Sequence, residues 1–132
     1  MKFTILGKPV PLGRPRFRVL GKGPRAFAQA YTPPSSKKWM DLIRNVAAME
    51  MRNHLWNPYS KPVHVHLEVT PQKLKSGKDA KRIGDLDNHL KAVLDALNGV
   101  AYKDDSQVRE LSARMLPAAH PSGITIEVTD LA

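Results

Sequence analysis

The chain has 132 residues and a mass of 14.7 kDa, which leaves room for one hydrophobic core and not for two. Its 21 Lys and Arg against 12 Asp and Glu give a net charge of +9 and a pI of about 10.0, the balance of a chain that works against a polyanion. Cysteine is absent, which excludes disulfides, thiolate nucleophiles and Cys-ligated zinc; no apolar run nears the roughly 20 residues of a membrane span, and the N-terminal apolar stretch is too short for a secretory signal, so a cytoplasmic protein that avoids membranes is expected.

Phe3 to Leu6 predicts a short strand that ends at Gly7 and Pro9. Residues 7–25 hold four glycines and four prolines, which predicts an exposed loop or a loose hairpin. Ala26 to Thr32 reads as a strand stopped by Pro33-Pro34. Ser35 or Ser36 is expected to cap a helix running to about Asn53. Trp39, Leu42, Ile43, Val46 and Met49 have the spacing of its buried stripe. Val63, Val65, Leu67 and Val69 alternate with His64, His66, Glu68 and Thr70, the period of a half-buried strand. A basic loop follows over residues 71–84, then a second helix from about Asp87 to Asn98 with Gly99 as its terminator. Leu90, Val93, Leu94 and Leu97 are its expected apolar stripe. Val108 to Leu116 and Ile124 to Val128 read as closing strands. The order β, β, α, β, α, β, β predicts one α/β (α+β) domain over residues 1–132, with both helices packed on a mixed sheet.

Charge is unevenly spread along these elements. Residues 1–40 carry nine basic groups and no acid, and residues 71–84 carry five against Asp79 alone. Residues 85–105 then hold Asp85, Asp87, Asp95, Asp104 and Asp105, five of the chain's 12 acids, opposed only by Lys91 and Lys103. Carboxylates repel a phosphate backbone unless a hard divalent cation stands between the two. Arg14, Arg16, Arg18, Lys22 and Arg25 form a first candidate phosphate-gripping arm; Lys73, Lys75, Lys78, Lys81 and Arg82 form a second. Phe17, Phe27 and Tyr31 offer rings to splayed bases, although core packing is expected for at least two of them. His64, His66 and Glu68 form the solvent-side row of their strand, suited to a dimer interface or to DNA; as a zinc site this row lacks partners.

The segment Gly84-Asp85-Leu86-Asp87-Asn88-His89-Leu90-Lys91 concentrates the chemistry. At 100° per residue Asp87, Lys91 and Asp95 share one edge of the second helix, and Asp87 near its N-terminus is favoured as a carboxylate. Two carboxylates and a cation on one edge suit Mg²⁺ and a phosphoryl oxygen, with Asp104-Asp105 able to add another carboxylate. The same residues also read as a plain cap followed by an i, i+4 charge ladder worth a few tenths of a kcal/mol per pair.

Taken together, D-L-D-N-x-x-K at Asp85–Lys91, A-x-x-D-A-L at Ala92–Leu97 and D-D-x-Q-V at Asp104–Val108 resemble the RusA-type Holliday-junction resolvases of bacteria and their prophages. G-R-P-R-F at Gly13–Phe17 and Y-T-P at Tyr31–Pro33 look like the phage-borne branch. The resemblance implies a homodimeric, Mg²⁺-dependent endonuclease (with Mn²⁺ as a substitute) that nicks four-way junction DNA symmetrically in recombination and repair. It carries metal ligation to Asp85, Asp87 and Asp105 and an essential lysine role to Lys91, leaving Asp95 and Asp104 as supporting carboxylates. The chain departs from the family pattern at Ile83-Gly84, which separates Lys81-Arg82 from the acidic motif. Two other classes fit the charge and size: a non-catalytic basic nucleic-acid-binding protein, and a metal-dependent nuclease for another branched DNA or RNA.

Overall fold

The computed structural model describes residues 1–13, 16–58, 61–77 and 84–131. Strand β1 (Lys2–Leu6) is followed by a hairpin of β2 (Arg16–Leu20) and β3 (Phe27–Tyr31), then helix α1 (Pro34–Asn53), β4 (Val63–Thr70), helix α2 (Leu86–Leu97), β5 (Val108–Met115) and β6 (Gly123–Asp130). Short 3₁₀ turns stand at Gly23–Arg25 and Asp105–Gln107. The main sheet has the order β1-β6-β4-β5; β2 and β3 form a separate two-stranded sheet. β6 runs antiparallel to both β1 and β4, whereas β4 and β5 are parallel. A parallel pair needs a long crossover, and α2 lies within it. This is the expected mixed sheet with two helices, to which a separate hairpin is added: the Gly- and Pro-rich stretch contains β2, which pairs with β3 outside the main sheet, so the hairpin alternative holds.

The core lies between one face of the sheet and the helices. Val63, Val65, Leu67 and Val69 of β4 meet Ile124, Ile126 and Val128 of β6 there, with Phe3 and Ile5 of β1 beside them. The alternating pattern of β4 places these residues on the correct face.

Two helix expectations need correction. Neither Ser35 nor Ser36 caps α1; its N-cap is Pro33 and Pro34 opens the helix, so the ring-fixed backbone performs the start that a hydroxyl was expected to make. The buried face of α1 is Ser36, Trp39, Ile43 and Ala47, while Leu42 and Met49 are 41% and 55% exposed. On α2 the buried face is His89, Ala92, Val93, Ala96 and Leu97, and Leu90 and Leu94 are only partly covered. Ala47, Ala92 and Ala96 are small enough to let the two helices approach closely. The buried faces are thus richer in alanine than hydrophobic periodicity reveals. Gly99, at φ +78°, ends α2 as expected.

Candidate active site and nucleic-acid interface

The chain enters α2 through Asp85, the N-cap residue, whose backbone is extended (φ −80°, ψ 145°) and whose side chain makes no capping hydrogen bond. Its carbonyl starts the helix by accepting from the N–H groups of Asn88 (3.0 Å) and His89 (3.2 Å). An aspartate at this position ordinarily turns its carboxylate onto the first-turn amides. Here those oxygens are not consumed by the helix, which weakens the reading of the motif as a cap. Asp87 sits in the first turn, 68% exposed, with Lys91 Nζ 3.8 Å from its Oδ2. So open a pair adds at most about 0.5 kcal/mol to stability. The expected Asp87–Lys91 edge is thus present, and Asp95 continues it, also exposed.

Asp104 and Asp105 have different occupations. Asp104 caps the 3₁₀ turn: its carboxylate accepts from the Ser106 N–H at 3.4 Å and from the Ser106 hydroxyl. Gln107 Oε1 in turn accepts from the Lys103 and Asp104 N–H groups at 2.8 and 3.1 Å, closing a capping box. The Ser106 hydroxyl and amide hold the Asp104 carboxyl below its ordinary pKa. Asp105 is exposed. Nearby Tyr102 is a buried phenol whose hydroxyl donates to the Leu94 carbonyl at 2.8 Å. Burial, then the charges of Asp105 and Asp95, push that phenol well above its ordinary pKa, so it stays neutral. The charges of Asp95 and Asp105 thus both act on this one buried phenol. The donor set is all carboxylate oxygen, chemically right for a hard cation; among the described residues no three Asp, Glu or His side chains converge closely enough to hold one ion.

The sequence alone does not reveal that Pro11, Ser36, Gly84 and His89 come together, and these lock the start of α2. Gly84 has φ +82°, and a Cβ there would lie 2.6 Å from Pro11 Cγ and 3.3 Å from Nε2 of the buried His89. Leu12 N–H donates to the Asn88 carbonyl at 3.0 Å. The buried Ser36 hydroxyl donates to the Pro11 carbonyl and accepts from the Gly13 N–H, both at 3.1 Å. The segment Pro11–Gly13 is thus a strut wedged between the beginnings of both helices. Its sequence signal, a glycine directly before the acidic motif, is shared by ordinary turns.

Beyond the strut, the basic arm rides on the hairpin. Arg16, Arg18, Lys22 and Arg25 are all exposed, and Arg14 lies outside the described residues. Lys73 and Lys75 are exposed in the segment after β4; Lys78, Lys81 and Arg82 lie outside the described residues. Cross-strand register puts Phe17 opposite Ala30 and Val19 opposite Ala28 on one face of the hairpin, with Arg16 opposite Tyr31 and Arg18 opposite Gln29 on the other. Phe17 is 69% exposed, Val19 72% and Phe27 58%, and Tyr31 is half-buried. The expectation that at least two of these aromatics join the core is therefore wrong: the hairpin packs mainly on itself. On the open face of the main sheet, Ser112 Oγ bridges His64 Nε2 (2.8 Å) and His66 Nδ1 (2.6 Å), and His66 Nε2 meets Glu68 Oε1 at 3.2 Å. That last bond keeps the Glu68 carboxyl below its ordinary pKa. The histidine row is a hydrogen-bonded strand face.

Comparison with known protein families decides the affiliation. A model of the family described as "Endodeoxyribonuclease RusA" matches residues 7–129. This chain belongs to the RusA family of endodeoxyribonucleases. It is also 33% identical to an uncharacterized protein, YqaN, of Bacillus subtilis (strain 168), over 92% of this chain and 90% of that protein. The span matched to RusA runs from the strut through the hairpin and α2 to β6, so every candidate residue discussed above falls inside it. As expected from the sequence, no helix among the described residues is long and apolar enough to cross a membrane.

Proposed function

We propose that this RusA-family nuclease resolves four-way DNA junctions by paired symmetric nicks, acts as a homodimer and depends on a divalent cation, Mg²⁺ in the first instance. The observation that carries this reading is the exposed acidic edge of α2, where Asp85 occupies a capping position without capping and Asp87 and Lys91 stand together in solvent. Asp85, Asp87 and Asp105 are the residues assigned to the ion, and their side chains would have to draw together to share it. Bound there, a divalent cation supplies charge neutralisation at a phosphate and a water of lowered pKa.

The protein's own groups supply the rest. Lys91, held toward the phosphate side by Asp87, stabilises negative charge that builds on the phosphoryl oxygens. Asp105 is favoured over Asp104 as a ligand because the Asp104 carboxylate is engaged by Ser106. Asp95, one turn beyond Lys91 in sequence, is assigned the role of a supporting carboxylate that orients its ammonium. Hairpin cations grip the backbone; if about six phosphates are neutralised, log K falls with log[salt] at a slope of about −5. A four-way junction has approximate two-fold symmetry, which a C₂ dimer with two identical sites matches.

The experiment is a labelled junction incubated with wild type and Asp87→Asn, with and without Mg²⁺. The expected result is paired nicks at symmetric positions for wild type with Mg²⁺ only, and junction binding without nicking for the variant. Mg²⁺-dependent cleavage retained by Asp87→Asn refutes the site. Binding without any wild-type cleavage favours a non-catalytic DNA-binding protein, and preferential cleavage of RNA or flapped DNA refutes the substrate.

A further inference from the structure

Between the β2–β3 hairpin and the first three turns of α1 lies a cleft of about 430 Å³, within the range of pockets that hold small ligands. Arg18 contributes from the hairpin, Lys37 and Arg44 from the helix, with Tyr31 and Met40 as its apolar lining and Asp41 as its one carboxylate. Three cations thus face a single anion. None of the three belongs to the acidic edge of α2, and nothing in the sequence distinguishes Lys37 and Arg44 from ordinary helix surface.

Both arginines are held in place before any ligand arrives. Arg18 Nε donates to Gln29 Oε1 at 3.0 Å, and its guanidinium lies 5.4 Å from the Tyr31 ring centroid, inside the range of a cation–π contact. Arg44 donates through Nε to the Ala96 carbonyl at 3.3 Å and through Nη1 to Asp41 at 3.4 Å. A stacked or anchored guanidinium loses less freedom on meeting an anion than a loose one, and its planar fork matches the oxygens of a phosphate. Asp41 is already opposed by Arg44, which leaves the cleft with a cationic surplus.

The cleft is also mechanically linked to the acidic motif. Lys37 follows Ser36, the buried hydroxyl that holds Pro11 and Gly13. Pro11 in turn is the residue against which Gly84 abuts, directly before Asp85. A ligand gripped by Lys37 therefore sits on the helix whose Ser36 anchors the strut that fixes the start of α2.

From these observations we infer that the cleft between hairpin and α1 seats backbone phosphates of the DNA, with Arg18, Lys37 and Arg44 as the clamp and Tyr31 as the surface that steadies Arg18. The choice of DNA as the polyanion rests on the nuclease reading above; the anion chemistry rests on the cleft. The grip on nucleic acid then continues from the hairpin onto α1 and is not confined to the two basic loops.

The test is a fluorescence-anisotropy titration of a labelled four-way junction in EDTA, repeated across a salt series, with wild type, the double variant Lys37→Gln/Arg18→Gln, and Lys2→Gln. Lys2 lies on β1 and its loss removes one positive charge away from the cleft. The double variant replaces two exposed side chains and is expected to keep the wild-type Tm. Its log K against log[salt] is expected to flatten by about two in slope, one for each lost phosphate contact, with affinity lowered about tenfold near 100 mM salt. Lys2→Gln should stay within about twofold of wild type. Slopes and affinities equal for wild type and the double variant overturn the proposal, as does an equal loss in Lys2→Gln or a wild type that binds no DNA at low salt. If the flattening is seen but wild type with Mg²⁺ never nicks the junction, the nuclease reading falls and the cleft stands. Nicking with an unchanged slope does the opposite: the nuclease stands and the cleft falls.

Discussion

The hairpin β2–β3 and the start of α2 carry opposite charge and are built in opposite ways. The hairpin is cationic, exposed on both faces and packed mainly on itself. The start of α2 is anionic at its surface and locked beneath, where Pro11 and the buried His89 leave no space for a methyl group on Gly84. Gripping a phosphate backbone tolerates variation in position, because the attraction is long-ranged and spread over many charges. Chemistry at one phosphate does not, since a displacement of about 1 Å there can cost about 100-fold in rate. On the proposed reading, the molecule thus concentrates its packing under the carboxylates and leaves much of its binding charge on an arm.

If that contrast is correct, the same size of change has different consequences in the two regions. The largest effect is expected from Asp87→Asn, which should lower single-turnover nicking by at least about 100-fold while junction affinity measured in EDTA stays the same or rises, because a negative charge near phosphate is lost. Next comes Gly84→Ala. Its methyl group meets Pro11 and its φ is unfavourable for alanine, so destabilisation of about 1–3 kcal/mol is expected in chemical denaturation; a wild-type midpoint would show that the strut is not tight. Tyr102→Phe removes the hydrogen bond to Leu94 and should cost about 1 kcal/mol at neutral pH. It also tests a pH dependence. The Tyr102 pKa is raised in the fold, and the unfolded phenol ionises near pH 10, so wild-type stability is complete below about pH 10 and declines as pH rises above it. The phenylalanine variant should decline less steeply in Tm measured from pH 9 to 11. The smallest effect belongs to Phe17→Ala/Val19→Ala, which should leave unfolding free energy within about 0.5 kcal/mol because both side chains are exposed; a large loss would place this face of the hairpin in a core or an interface.

Legibility in the sequence follows the same division. Elements whose signal is local are readable: the alternation of β4, the glycine that ends α2, the hairpin option in the Gly- and Pro-rich stretch. The acidic edge is readable because Asp87, Lys91 and Asp95 are spaced by the helix itself. What escapes depends on residues distant in sequence. Ser36 looks like a cap, and only the fold shows that its hydroxyl serves Pro11 and Gly13, more than 20 residues away. The difference between Asp104 and Asp105 likewise rests on a capping box that their identical side chains do not announce. Leu42 and Met49 continue the apolar stripe of α1, yet the residue buried there is Ala47. Phe17 and Phe27 read as core residues because aromatic side chains usually are; the hairpin has no core to receive them.

The strand order has a consequence for how the protein is made. β6, the last of these strands to be synthesised, pairs between β1, the first of them, and β4. A nascent chain that has reached residue 122 already holds every acidic and basic residue of the proposed site, yet lacks the strand that joins β1 to β4. Its most distant pairing, Lys2 with Glu127, carries the largest loop-closure entropy and must wait until β6 has emerged. β1, against which α1 packs, therefore joins β4 and β5, against which α2 packs, only after β6 has been made.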